Sequence, residues 1–231
     1  MAFICNIWLI LLTSLFSSCD SCVISEADRL VLQKFWHYAQ TNHLEEQETG
    51  ERISSIARFF LDTPYKSNTL NTADGEKLIV NLRELDCVTF VENVLALAFL
   101  PEYTSSSEDT FKKNLQKIRY RDGIIEDFTS RLHYSSDWLY EMQQNLLLKD
   151  ITADLGGIKH TKEINFMSGH HELYPALKNN PQLLTKIKNM EDSINKRTRY
   201  YIPKSDIDKV YSKIKAGDII LITTNIAGLD T

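Results

Sequence analysis

The chain has 231 residues, 43% of them hydrophobic, and carries 26 basic against 31 acidic side chains for a formal net charge of −5. No cluster of Lys and Arg interleaved with aromatics occurs, which argues against nucleic acid as a partner. Cysteine is scarce: of the 4 present, Cys5, Cys19 and Cys22 fall at the N-terminal end and Cys87 stands alone in the body, so no disulfide framework is available.

The first 18 residues contain no charged side chain, and positions 4–16 are almost entirely apolar. That stretch is shorter than the roughly 20 residues of a membrane span but fits the core of a secretory signal. Small residues at Ser14, Ser17 and Ser18 then precede Cys19, as in a bacterial lipoprotein processing site where that cysteine is acylated; Cys22 is a second candidate. Residues 1–22 are therefore expected to be a signal peptide or lipoprotein leader. The protein is expected to be exported, with membrane attachment through a lipidated Cys19. Positions 23–231 contain no Gly/Ser- or Pro-rich linker and no internal repeat, and are expected to form a single domain.

Positions 25–40 carry an apolar side in helical period (Leu30, Val31, Phe35, Trp36, Tyr38), with Ser25 as N-cap. A second amphipathic helix is predicted over 49–61, from Ile53, Ile56, Ala57 and Phe60, ending at Thr63-Pro64. Tyr65 and a polar loop lead to a short strand within 77–82. Val88, Val91, Val94, Leu95 and Ala98 then place a helix from Cys87 to just before Pro101. A thiol there meets the free N–H groups and positive dipole end of a helix start, a setting that favours the nucleophilic thiolate form. The alternative is a small buried hydrophobe.

Further helices are predicted over 108–118, from the 131–138 segment to about Asn145, over 181–196 at the surface, and in a short piece from Lys204. Asp122-Gly123 and 154–157 read as turns. Strands are predicted at 164–167, 199–202 and, after the turn Ala216-Gly217-Asp218, at 219–223. Helices first and strands late imply an α+β fold with a small antiparallel sheet.

Three separated pieces carry a family likeness: Thr63-Pro64-Tyr65, then Asp86-Cys87 with Phe90 and Val91, then Gly217-Asp218 with its apolar run. Together they resemble the NlpC-type papain-like cysteine hydrolases of bacterial cell walls. The closest likeness is to the N-acetylmuramoyl-L-alanine amidase-like branch (DUF1460), whose marks include the 84–92 block, His133 to Trp138, Asp150-Ile151-Thr152 and Phe166-Met167-Ser168.

The resemblance implies a papain-like fold and a peptidoglycan or muropeptide substrate cut between N-acetylmuramic acid and L-alanine. It also implies residence in the periplasm or, as a lipoprotein, at the outer membrane. Cys87 is the implied nucleophile, forming a thioester. Tyr65 is implied to reach over it, or else to be an edge-of-core tyrosine. Asp86 binds a polar substrate group or caps the helix. Ser135, Asp137 and Trp138 are implied to line the cleft, Asp137 being otherwise an ordinary N-cap, and His170 to line the pocket beside His171. No cofactor is implied. No H-x-x-x-H or carboxylate at ligand spacing accompanies His170 and His171, so no metal is expected.

The family's catalytic histidine is expected after the Gly217-Asp218 strand, where this chain reaches Thr231. The C-terminal strands are accordingly expected to be missing. An endopeptidase cutting γ-D-glutamyl-diaminopimelate, or a binding fragment without catalytic histidine, are the alternative readings.

Overall fold

The structure, a computed structural model, describes residues 22–71 and 75–231. Positions 1–21, which hold Cys5 and Cys19 and all but the last residue of the expected leader, lie outside the described residues. A short strand, β1 (Cys22–Ile24), precedes α1 (Glu26–Thr41), which begins where Ser25 accepts from the Asp28 N–H at 3.1 Å. Next come α2 (Thr49–Phe59), β2 (Leu78–Val80), α3 (Cys87–Ala98) and α4 (Glu108–Arg119). The C-terminal half holds α5 (Ser135–Gln144), β3 (Ile158–Lys159), α6 (Phe166–Gly169), α7 (Pro181–Lys196), β4 (Tyr200–Tyr201) and α8 (Ile207–Val210).

The molecule is a mixed, mainly helical protein with small sheets. β1 pairs with β2 in parallel, Val23 opposite Ile79, and β3 pairs with β4 antiparallel. One of the two pairs is thus parallel, where an antiparallel sheet was expected. Two expected strands are also absent. Ile164 makes one isolated bridge to Gly228, after which both the Asn165 and Phe166 N–H groups turn to the Gly228 carbonyl and α6 begins. Positions 219–223 form no ladder: no described strand offers itself as neighbour, and Ile220 and Ile222 face solvent. An apolar run becomes a strand only when another strand receives its backbone groups.

Two apolar clusters build the interior. The larger joins α1 to α5 with β2, and at its centre the fully buried Phe35 meets Trp36, Phe59 and Tyr103 edge-on at 5.2–5.7 Å. Burying such side chains contributes about 1.5–3 kcal/mol each. The smaller gathers Ile164, Met167, Leu177, Ile187 and Ile194 around α6 and α7. Tyr134, buried in this smaller cluster just before α5, donates to Glu191 Oε1 at 2.7 Å and accepts from the Met167 N–H at 2.8 Å.

The turn before 219–223 is fixed by two glycines. Gly217 sits at φ +85° against Gly50 in the first turn of α2. A Cβ on Gly217 would lie 2.6 Å from Gly50 Cα, and one on Gly50 would run into the Ala216 carbonyl. Among the described residues no helix is long and apolar enough to cross a membrane.

Candidate active site

Cys87 is the first residue of α3 and is exposed, so it is not the small buried hydrophobe that composition alone would favour. Asp86 is the N-cap. Its Oδ1 accepts from the Thr89 N–H at 2.8 Å, while the Asp86 N–H donates to Thr89 Oγ1 at 2.9 Å, a reciprocal capping box. The first N–H groups of a helix have no intrahelical acceptor, and those of Cys87 and Val88 meet none elsewhere among the described residues.

The segment entering α3 is held on both sides. Buried Asp28 accepts from the Leu82 N–H at 3.0 Å and from Arg83 Nε at 3.1 Å, tying it to α1. Across from it, Lys66 donates its N–H to the Leu85 carbonyl at 3.1 Å, and the Leu85 N–H donates to the Pro64 carbonyl at 3.0 Å. Tyr65 therefore lies in register with Leu85, two residues from the thiol, and it is 75% exposed. Leu61 and Val88 are further exposed apolar residues on these two segments.

The middle of α3 is fixed from below. Glu92 accepts from Arg119 Nε at 2.8 Å with both side chains buried, and Arg119 Nη1 donates to the Ile79 carbonyl at 2.6 Å. Burial raises the Glu92 carboxyl above its ordinary range against the opposing pull of Arg119. A second set of charges adjoins it: Glu76 accepts from Tyr120 at 2.9 Å and lies 3.5 Å from Arg131. A groove of about 290 Å³ runs along α3, lined by Ala57, Phe90, Val91, Val94 and the Gly217–Ile220 segment among others.

The remaining predicted site residues lie elsewhere. Asp137 is fully buried and is not a helix cap, Tyr134 holding that position; its two oxygens accept from Arg121 Nη2 at 2.6 Å and Arg197 Nη1 at 2.7 Å. It ties the start of α5 to the end of α7, where Arg197 also covers the Tyr140 ring at 3.7 Å. Trp138 is buried in the main core. Ser135 Oγ lies 2.6 Å from Thr231 Oγ1, and the Ser136 N–H donates to Asp230 at 2.7 Å. His170 is exposed, stacked on Phe166 at 4.3 Å. Among the described residues no hydrogen bond or ion pair joins this second group to Tyr65, Asp86 and Cys87.

His133, inside the same motif, holds the Phe128 carbonyl with Nε2 at 2.6 Å. Burial, then the charge of Arg131, pushes its pKa down to about 3, so it is neutral at neutral pH and Nε2 carries the proton. No hydrogen bond links Cys87 Sγ to a histidine among the described residues. His43, Glu45 and Glu46 are close enough to share a metal ion, but all three are exposed and His43 already pairs with Glu46 at 3.7 Å.

Sequence reasoning missed Asp28, Glu92 and Arg119. Only Glu92, one helical turn beyond Val88 in an otherwise apolar stretch, gave a signal, as a charge on a face that must be buried.

Comparison with known proteins bears on what this arrangement does. Residues 55–231 match the family described as AmiA-like, N-acetylmuramoyl-L-alanine amidase-like. A crystal structure of an N-acetylmuramoyl-L-alanine amidase from Bacteroides uniformis ATCC 8492 is 40% identical, with 80% of this chain and 77% of that one covered at a TM-score of 0.75. A protein from Bacteroides fragilis described as a putative xylanase is also 40% identical, covering 76% of this chain and 77% of that one at 0.65. A Legionella pneumophila protein of the DUF1460 family shares the fold at 21% identity, covering 82% and 69% with a TM-score of 0.61. No curated protein matches the chain. With most of its length matched, the chain belongs to the N-acetylmuramoyl-L-alanine amidase-like family.

Proposed function

We propose that this protein is a peptidoglycan amide hydrolase that cuts between N-acetylmuramic acid and L-alanine through a cysteine thioester. The observation that carries this reading is the exposed thiol of Cys87 at the first position of α3, capped by Asp86 and flanked by Tyr65, in a chain of this family. Cys87 Sγ attacks the lactyl carbonyl carbon. The carbonyl oxygen takes the negative charge, facing the free N–H groups of Cys87 and Val88 and the Tyr65 hydroxyl. The C–N bond then breaks, the leaving nitrogen of the stem peptide taking up from solvent the proton that the Cys87 thiol released, and water cleaves the thioester to the lactyl carboxylic acid and regenerates the thiol. We read the helical body and small sheets as a variant of the NlpC-type, papain-like hydrolase fold, and the apolar leader as directing export to the periplasm, with Cys19 as lipid anchor.

Mass spectrometry of digested muropeptides tests it. The expected products are free amino sugar and an intact stem peptide. A shortened stem with the sugar still attached would identify the γ-D-glutamyl-diaminopimelate endopeptidase instead. Cys87→Ala is expected to lower the rate by about three orders of magnitude or more at an unchanged melting temperature. The activity should be lost to iodoacetamide and kept in excess EDTA. Turnover by Cys87→Ala near that of the unsubstituted protein would overturn the nucleophile.

A further inference from the structure

Arg131 stands just ahead of the His133 to Trp138 motif and takes no part in the chemistry at Cys87. Its main chain is fixed: Arg131 bridges Tyr120 antiparallel, and the Leu132 N–H donates to the Arg119 carbonyl at 3.0 Å. Arg119 is the cation that holds Glu92 of α3. The Arg131 guanidinium is nearly closed to solvent, with its carbon 5.3 Å from the centre of the Phe128 ring and its Nε 3.5 Å from Glu76 Oε1. That pairing with Glu76 is ionic only, since Nε makes no hydrogen bond and Tyr120 already donates to the same oxygen at 2.9 Å.

The two terminal nitrogens remain, and both reach one stretch of chain. Nη1 donates to the Leu70 carbonyl and Nη2 to Asn71 Oδ1, each at 3.4 Å. Both bonds are long, but a charged donor binds more strongly than a neutral one, and a planar fork presents two donors at once.

These bonds matter because of what the stretch lacks. Among the described residues, positions 67–71 make no backbone–backbone hydrogen bond, and Arg131 is the one donor from a distant part of the chain that reaches them. Immediately before them, Lys66 closes the bridge that keeps Tyr65 beside Leu85. The Tyr65 side chain is three-quarters exposed and has no core to seat it. Its place therefore depends on the main chain to either side, with the bridge to Leu85 as one hold and Arg131 as the next.

We infer that Arg131 is a positioning residue: by holding Leu70 and Asn71 it steadies the chain that leaves Tyr65, and so keeps Tyr65 beside the start of α3. Displacing a group beside a reacting centre by about 1 Å can cost roughly a hundredfold in rate. The effect on rate rests on the amidase reading, whereas the effect on the Tyr65 bridge does not.

The test uses the full chain with Arg131→Lys and Arg131→Gln. Lysine keeps the charge opposite Glu76, which protects folding, but one ammonium lacks the fork that serves Leu70 and Asn71 together. Amide hydrogen exchange, read by NMR, is expected to quicken at least tenfold at Lys66 and Leu85 in Arg131→Lys, with the interior amides of α1 unchanged. For muropeptide cleavage, kcat should fall about tenfold at nearly constant KM. In a Tyr65→Phe background the same substitution should cost less than about twofold, because the two residues act as one. Unaltered exchange at Lys66 and Leu85 in both variants overturns the inference. So do faster exchange throughout the molecule in Arg131→Lys, a kcat that does not move, or rate losses that multiply in the double variant. Uncut muropeptides with the unsubstituted protein would remove the amidase reading, and the exchange at Lys66 and Leu85 would still decide whether Arg131 holds the bridge.

Discussion

Tyr65 and Leu85 lie side by side in a parallel bridge, closed by the Lys66 N–H on the Leu85 carbonyl at 3.1 Å and the Leu85 N–H on the Pro64 carbonyl at 3.0 Å. Only Asp86 separates Leu85 from Cys87, so two backbone hydrogen bonds hold the Tyr65 main chain beside the start of α3. Tyr65 is three-quarters exposed and its removal empties no core. Tyr65→Phe is expected to leave the melting temperature unchanged, because surface substitutions usually shift stability by no more than about 0.5 kcal/mol. The same change should lower kcat/KM for muropeptides by roughly tenfold or more if the hydroxyl meets the oxyanion. Steady-state kinetics at wild-type rate would assign the ring to shape alone.

Asp86 serves the helix, and a pair of substitutions separates that service from any contact with substrate. Asp86→Ala removes the capping acceptor and is expected to cost about 1 kcal/mol or somewhat more. Asp86→Ser restores an acceptor for the Thr89 N–H and should recover most of that loss. If stability returns in Asp86→Ser while turnover stays low, the carboxylate also contacts the substrate. Recovery of both would confine it to capping.

Glu92 and Arg119 form a buried ion pair beneath α3. Glu92→Ala leaves a guanidinium buried beside the Ile79 carbonyl with its carboxylate gone, and such breakage typically costs about 3–5 kcal/mol. Urea denaturation is the measurement. A midpoint shift worth less than about 1 kcal/mol would mean that Arg119 finds water or another acceptor.

His133 makes stability depend on acid. Its pKa falls from 6.5 to about 3 on folding, because burial and then Arg131 disfavour the charged ring. The unfolded chain takes up this proton near pH 6.5 and the folded chain only near pH 3. Stability from the neutral ring is therefore fully present above 6.5 and is lost as pH falls across that window. His133→Gln is expected to flatten the acid limb between pH 6.5 and 4 while costing its hydrogen bond at pH 7. Urea midpoints at the two pH values report this, and equal acid losses in both proteins would place the dependence on other groups.

The helices were legible because their signals are local. Ser25 before an apolar-periodic stretch, Asp86 three residues before Thr89 and Pro101 after Ala98 each mark an end within one turn of it. The thiol at a helix start was legible for the same reason. The strands at 164–167 and 219–223 were misread because an apolar run gives no information about its pairing partner, which a distant part of the chain must provide. Asp137 shows the same limit at a site: its arginines come from the segment after α4 and from the end of α7, and neither is visible from the Ser-Ser-Asp-Trp motif. Glu92 stood in plain view, but a charge inside an apolar helix does not announce its counter-ion.

The contact between Gly50 and Gly217 has a consequence for the order in which the molecule assembles. It joins the beginning of α2 to a turn close to the end of the described chain, so nearly the whole intervening polypeptide must be looped before it can close. Contacts of such long sequence separation form late and slowly, whereas the packing of α1 to α4 is largely between sequence neighbours and can precede it. A methyl group at either glycine would leave that early helical nucleus untouched and act on the last step alone. Such a variant would be a protein that collapses at the ordinary speed, lingers with its tail undocked, and exposes the 214–231 segment to proteases before the rest of the fold.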